Sequence, residues 1–315
     1  MTETEMITDI KGLHHVTSMA ADAAQNNRFF TDTLGLRRVK KTVNFDAPEV
    51  YHLYYGDEIG TPGSVMTYFP FGQMPKGRRG TGEVGVTEFA VPQGALGYWK
   101  DRLASAGATG LSEGSFLGEA RLDFAGPDGD GFALVEAADR GRTAWTGAGV
   151  PEEAGILGFH GARMRLRDSA ATAELLTFMG YQKDETDGAV TRYRIEGGNA
   201  ADTIDLEAVP GGKAAAQGAG SVHHIAFAVE DRAAQLRVRE ALVDTGYQVT
   251  PVIDRDYFWA IYFRTPGGVL FEIATNEPGF DRDEDTAHLG QALKLPTRYE
   301  PYRDRIEELL PALGA

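Results

Sequence analysis

Four times along the chain a strand-like run leads into a helical stretch and then into three further strand-like runs. This repeated βαβββ unit limits the folds open to the sequence. The clearest copy starts at Ser221. There VHHIAFAV reads as a strand, and DRAAQLRVREALVDTG carries Leu236, Val238, Leu242 and Val243 at helical spacing between a capping Asp231 and a terminating Gly246. Strands follow around YQVTPVID, FWAIYFRT and VLFEIAT, the last two joined by a turn at TPGG. The same order recurs near the start as LHHVTSMA, AAQNNRFFTDTLG, RRVKKTV, VYHLYYGD and VMTYFPF. Two more divergent copies lie between, one from GVTEFAVP to FALVEA and one from FHGARMRLRD to DTIDLEAV. A unit of this size buries little alone. An α+β architecture is therefore expected, with four βαβββ modules paired into two curved mixed β-sheets covered by helices. Along the sequence the modules divide into an N-terminal domain at 8–140 (modules 1 and 2) and a C-terminal domain at 154–275 (modules 3 and 4). A tail at 276–315 ends in a short amphipathic helix around YRDRIEELL.

Composition removes several classes of function. A net charge of -15 disfavours nucleic acid and anionic membrane surfaces as partners, since both reward basic patches. With no cysteine there is no disulfide framework, thiolate metal site or thiol nucleophile. The start, MTETEMITDIKG, lacks the basic and apolar segments of a signal peptide, and no run approaches the ~20 apolar residues of a membrane span. A cytoplasmic protein is the expectation.

Four of the seven histidines fall in two pairs, GLHHVT and SVHHIAF, each on the first strand of its unit. Side chains alternate along a strand, so His224 shares a face with Ala226 and Ala228, and His223 with Ile225, Phe227 and Val229. The small set suits a concave, ligand-holding face, which favours His224 as the inward histidine and, by register, His15 in the first unit, with Thr17 on its face. Aligning TPGGVLFE with TPGSVMTY sets Glu272 opposite Tyr68; in the middle units Val86, Gly161 and Ala133 occupy the corresponding histidine and glutamate positions. A lone strand histidine is more often a hydrogen-bonded core residue than a ligand. Two at matching register, with Glu272 in an apolar stretch where an unpaired carboxylate is costly, point to a cation. Two histidines and one carboxylate with open positions suit a non-haem Fe(II) oxygenase, and Mn(II) accepts the same donors. His52 stands equally well as a pocket or a strand residue, His160 matches a non-ligand position, and His288 belongs to the surface or the pocket rim. GPDGDG reads as a hairpin turn rather than a calcium loop.

The stretches GLHHVT, YHLYYGDEIGTPGSVMTYFPF, HHIAFAV, RTPGGVLFEIAT and LGQALKLPTRYEPYR together resemble the vicinal oxygen chelate superfamily, and within it the hydroquinone-type ring-cleaving dioxygenases. The likeness runs from about residue 12 to the end. It implies the vicinal oxygen chelate fold, with the first and last units packed as partners. It also implies an Fe(II) enzyme that opens a hydroquinone or catechol-type ring with O2, its metal held by His15, His224 and Glu272. Tyr262 matches a position contacting substrate near the metal, and Arg255 a pocket cation for an anionic substrate oxygen. Thr17 is placed to hydrogen-bond substrate or oxygen, and His14 and His223 to brace the ligands. His52, Phe258 and Trp259 fall among the substrate-side residues, in a region also rich in Tyr51 and Tyr54. A homo-oligomer is compatible with the tail. Two other classes stay open. A glyoxalase or fosfomycin-resistance-like isomerase or transferase predicts Zn, Ni or Mn and no oxygen uptake. A non-catalytic binding protein predicts no metal triad.

Overall fold

A computed structural model describes residues 6–313. The first unit comprises β1 (Leu13–Ala20), α1 (Ala23–Arg28), β2 (Arg37–Asn44), β3 (Ala47–Gly56) and β4 (Val65–Pro70). The second comprises β5 (Glu83–Val91), α2 (Leu96–Ser105), β6 (Thr109–Phe116), β7 (Glu119–Ala125) and β8 (Gly131–Glu136). The third comprises β9 (Phe159–Leu166), α3 (Ala170–Phe178), β10 (Gln182–Asp187), β11 (Val190–Arg194) and β12 (Thr203–Ala208). The fourth comprises β13 (Val222–Val229), α4 (Arg232–Asp244), β14 (Ile253–Asp254), β15 (Phe258–Arg264) and β16 (Leu270–Pro278), and α5 (Arg303–Leu309) closes the tail.

The strands form two mixed eight-stranded half-barrels. One runs β14-β15-β16-β13-β1-β4-β3-β2 and the other β10-β11-β12-β9-β5-β8-β7-β6. Units 1 and 4 therefore share one sheet, joined by the antiparallel pair β1–β13, and units 2 and 3 share the other through β5–β9. The sequence halves 8–140 and 154–275 do not each own a sheet; each contributes one unit to both. The physical reason is that each unit completes its sheet across the first-strand seam, β1 with β13 and β5 with β9.

Local sequence explains the elements and their departures from expectation. In α4, Asp231 accepts a hydrogen bond from the Ala234 amide at 2.8 Å, and Gly246 at φ 92° ends the helix. The buried stripe is Ala234, Val238 and Leu242, while Leu236 and Val243 face solvent. In unit 1 the expected helix is α-helical only to Arg28 and continues as a π-turn over Phe29–Thr33. The strand expected around YQVTPVID shrinks to Ile253–Asp254, because Pro251 has no amide to donate to the ladder. GPDGDG is a hairpin turn, as expected. Its Asp130 accepts from the Tyr68 hydroxyl at 2.9 Å and its Asp128 from the Ala21 amide at 3.0 Å, tying the two sheets together.

Alternation sorts each strand of the first half-barrel. Ile225, Phe227, Val229, Leu53 and Tyr55 join the large core under the helices; Ala226, Tyr54, Phe258, Ala260 and Ala274 line the concave face. The tail closes one end of that cup. Phe280 and Leu289 pack beside Tyr54 and Phe258, and fully buried Lys40 holds Asp283 at 2.6 Å and Glu284 at 2.5 Å. Among the described residues, no helix is long and apolar enough to cross a membrane.

Candidate metal centre

The two histidine pairs meet where β1 and β13 run side by side, and both are bulged. Leu13 pairs with Phe227 and His15 with Ala226, which leaves His14 as an extra residue in β1; Thr17 pairs with His224 and Ser18 with Val222, which leaves His223 extra in β13. A bulge interrupts the two-residue period. For this reason His223 does not turn toward Ile225 and Phe227, as alternation predicts, but joins His224 at the cavity. The result is a near-twofold arrangement. His14 Nδ1 lies 2.9 Å from His15 Nδ1, and His223 Nδ1 lies 2.7 Å from His224 Nδ1. Each inner ring is thus held through Nδ1, and its Nε2 is left for the cup. A second hydrogen-bonding group on a ligand histidine fixes ring orientation and tautomer in this way.

Glu272 enters from β16, paired with Ala226 on one side and Tyr262 on the other. Its Oε2 lies 2.8 Å from His224 Nε2 and 3.5 Å from His15 Nε2, and the two Nε2 atoms are 3.3 Å apart. Three donors about 2.1 Å from one ion at right angles would stand about 3.0 Å apart. Both Glu272 oxygens are buried without a hydrogen bond among the described residues. Burial pushes this carboxyl up, but the adjacent His15 and His224 outweigh it and hold it well below the usual range. A fully buried, ionised carboxylate that accepts no hydrogen bond and faces two ring nitrogens fits a cation. Among the described residues this is the one cluster of such donors with metal-site geometry.

The triad opens into a cavity of about 290 Å³ bordered by His52, Tyr54, Phe69, His223, Arg255, Phe258 and Tyr262, with Asn44, Phe45 and Asp46 toward its mouth. Phe258 lies against the His15 ring, centroids 4.9 Å apart. The Arg255 Nε donates to the Tyr262 hydroxyl at 3.2 Å, and its Nη1 reaches Asp46 at 3.3 Å. His14 stands behind His15, bordering a smaller cavity with Tyr257 and Phe280. Thr17 is buried beside His224 and bonds Thr67.

Three expectations need correction. Trp259 is not in the cavity: on β15 it faces α4, where Arg232 covers its ring and its carbonyl accepts from Gln235, one position out of phase with Phe258 and Tyr262. Tyr51 likewise faces the large core. Tyr68 is not the counterpart of Glu272. Thr17 pairs with Thr67 where Ala226 pairs with Glu272, so Thr67 holds that position and Tyr68 points away to Asp130. The two TPG turns feed their strands one residue out of step, and one residue reverses every side chain. Thr67, Phe69 and Phe71 could have been found by alternation once that register was right. His288 is exposed beside Asp285.

The second half-barrel repeats the bulges with Gly85 and His160 as the extra residues. Its register sets Val86 and Gly161 at the ligand-histidine positions and Ala133 at the Thr67 position, as the sequence indicates. At the Glu272 position in unit 3 stands Asp205, opposite Arg163. This cup is filled by its own charges. Arg192 grips Asp205 through Nε at 2.9 Å and Nη2 at 3.0 Å, Arg121 bonds Glu88 at 2.9 Å, and Arg163 lies over the Phe116 ring.

Burial, aided by the neighbouring His15 and His224 imidazoles, pushes His14 down to about 3 and His223 to about 4. Both are neutral in the folded protein at pH 5, whereas unfolded histidines near 6.5 are largely charged. Stability is full above pH 6.5 and falls as the pH drops toward 4, by up to about 1.4 kcal/mol per pH unit for each histidine. Urea midpoints of metal-free protein should decline over that window; a flat profile contradicts these neutral, buried rings.

The chain belongs to the Glyoxalase/Bleomycin resistance protein/Dioxygenase superfamily, whose description matches residues 131–273. It is 42% identical over 302 residues to the candidate ring-cleaving dioxygenase MhqO of Bacillus subtilis (strain 168), covering 95% of this chain and 96% of that protein. It is 35% identical to the chlorohydroquinone/hydroquinone 1,2-dioxygenase of Sphingobium indicum, with 94% of this chain and 95% of that protein covered. A crystal structure of a candidate dioxygenase from Bacillus subtilis subsp. subtilis str. 168 superimposes with a TM-score of 0.94 at 40% identity, covering 97% of this chain and 98% of that one.

Proposed function

We propose that this protein is a cytoplasmic, Fe(II)-dependent dioxygenase that opens a hydroquinone or catechol-type ring, placing both atoms of O2 in the product. The observation that carries this reading is the unpartnered Glu272 carboxylate facing two ring nitrogens at the floor of an aromatic-lined cavity. The relatives named for ring cleavage support it. His15, His224 and Glu272 would hold the ion and leave its other positions open; Fe(II), when bound, supplies the electron coupling between a phenolic substrate and O2. Mn(II) fits the same donors.

The chain's own groups prepare and hold the substrate. Neutral His223, beside the cavity, accepts a hydrogen bond from the phenolic hydroxyl of the substrate. Arg255 sets a positive charge against the negative charge that develops on the substrate oxygen. Tyr262 keeps its proton, because burial and the Glu272 charge push its phenol well above the ordinary value and Arg255 only partly offsets them. It therefore donates a hydrogen bond where negative charge develops. His14 braces His15, Phe258 flanks the ring, and His52 forms part of the wall.

The test is oxygen uptake by anaerobically purified, Fe(II)-loaded protein given hydroquinones and catechols. One O2 per ring opened is the expected result; no uptake, with tight binding of Zn or Ni, moves the assignment to an isomerase or transferase. Phe258→Ala should raise the aromatic KM about tenfold, whereas Trp259→Phe should leave kcat and KM within about twofold. Equal effects at the two positions would contradict the facing of β15.

A further inference from the structure

An ion pair that joins the outer units stands at the mouth of the first cup. Arg255 comes from the turn between β14 and β15 and Asp46 from the turn between β2 and β3, and Nη1 of one lies 3.3 Å from a carboxylate oxygen of the other. Asp46 is firmly placed. Its amide donates to Asn44 Oδ1 at 2.9 Å, and the Phe45 carbonyl before it accepts from Arg298 Nη2 and from the Tyr299 hydroxyl, each at 2.7 Å. The tail thus pins the turn that carries the carboxylate to the rim. The Asp46 side chain is 77% exposed, and an ion pair so open to solvent contributes little to stability. Its support points to a role at the mouth.

Charge defines that role. Among the described residues bordering the cavity, Arg255 is the one lysine or arginine, and Asp46 and Glu272 are the two carboxylates. Glu272 lies at the floor with the two histidines, so Asp46 is the carboxylate that an incoming ring passes. A ring with a carboxylate of its own would turn it toward Arg255, where Asp46 is already bound. Two anions on one guanidinium stand within about 6 Å of each other, and at that distance near a protein surface like charges cost at least about tenfold in affinity. An uncharged ring bears no such cost.

We propose that Asp46 is a specificity-determining residue: held against Arg255 at the mouth, it disfavours rings that carry a full negative charge and leaves the cavity to uncharged ones. The turnover part of this inference rests on the dioxygenase reading; the binding part does not.

Two measurements test it, each with a pair of probes that differ in charge alone: carboxymethylhydroquinone and its uncharged amide of the same shape. The first is anaerobic calorimetric titration of both into full-length, Zn-loaded wild type, Asp46→Asn and Asp46→Lys. The affinity ratio, acid over amide, should rise about tenfold in Asp46→Asn and further in Asp46→Lys. Because the Asp46 carboxylate is largely exposed, high salt should narrow the gap between wild type and Asp46→Asn. A ratio that stays within about twofold across the three proteins, a gap that salt leaves unchanged, or failure of both probes to bind overturns the proposal. The second is steady-state oxygen uptake by the Fe(II)-loaded proteins, in which the ratio of kcat/KM values should rise in the same order. Equal gains for acid and amide would mean that Asp46 only restrains Arg255, and would overturn it. Absence of oxygen uptake in the wild type counts against the dioxygenase reading, and the affinity ratio still decides the role of Asp46.

Discussion

Glu272→Gln should abolish oxygen uptake and lower stability, most of all when metal is present. In the ligand-free cup burial disfavours the charged carboxylate, but His15 and His224 outweigh it and hold its pKa well below the usual range. A carboxyl whose pKa is depressed on folding contributes stability above its unfolded pKa, and the amide loses that contribution, so the apo variant should melt below the wild type at pH 7. With Fe(II) or Zn present the gap widens. The amide is a poor ligand, metal affinity falls by at least about a hundredfold, and the wild type gains stability from the ion that the variant does not. Scanning calorimetry of both proteins, with chelator and with metal, checks both steps. A gap that metal fails to widen would mean that Glu272 holds no cation, and the metal assignment would fall with it.

Arg192→Met should be among the most damaging single changes outside the cavity. Arg192 is 2% exposed and Asp205 fully buried, so removing the guanidinium strands a carboxylate in the second cup with only Arg163, 3.7 Å away, as a remaining cation. Breaking one side of such a pair costs about 3–5 kcal/mol. Burial already raises the Asp205 pKa and Arg192 opposes the rise; without it the carboxyl takes up a proton at a higher pH. The loss should therefore shrink as the pH falls, opposite to the wild-type trend set by His14 and His223. Adding Asp205→Asn should recover much of it. Urea titrations at pH 7.5 and 5.5 separate these outcomes, and a pH-independent loss would point to lost packing alone.

How much of this was legible in the chain depends on what alternation can carry. The triad stood out because imidazoles and a carboxylate have no ordinary reason to occupy apolar strand runs, and the fourfold repeat fixed their register. The bulges did not stand out, because an extra residue in a ladder leaves no mark in composition; only the doubled histidines hint that two neighbours face one way. Identical TPG turns suggest identical strand entry and so match Tyr68 to Glu272, but a one-residue offset puts Thr67 there instead. Phe258 and Trp259 are both aromatic and adjacent, but neighbours along a strand face opposite ways, and only Phe258 reaches the cavity. Asp205 went unread because unit 3 has no histidine at its ligand position, and without one a strand aspartate looks like an edge residue.

The seam between β1 and β13 has a consequence for how the protein is made. Units 2 and 3 are consecutive, so their half-barrel, from Glu83 to Ala208, can close while the rest of the chain is still being synthesised. The first unit must then wait with an unpaired edge, because its neighbour lies about two hundred residues downstream, a long loop to close. His15 and His224 both precede Glu272 in the chain, so the three donors can stand together only once β16 has been made, and a product truncated before β16 keeps its histidines but lacks the carboxylate. A cation held by all three would tie the first unit to the fourth across that seam.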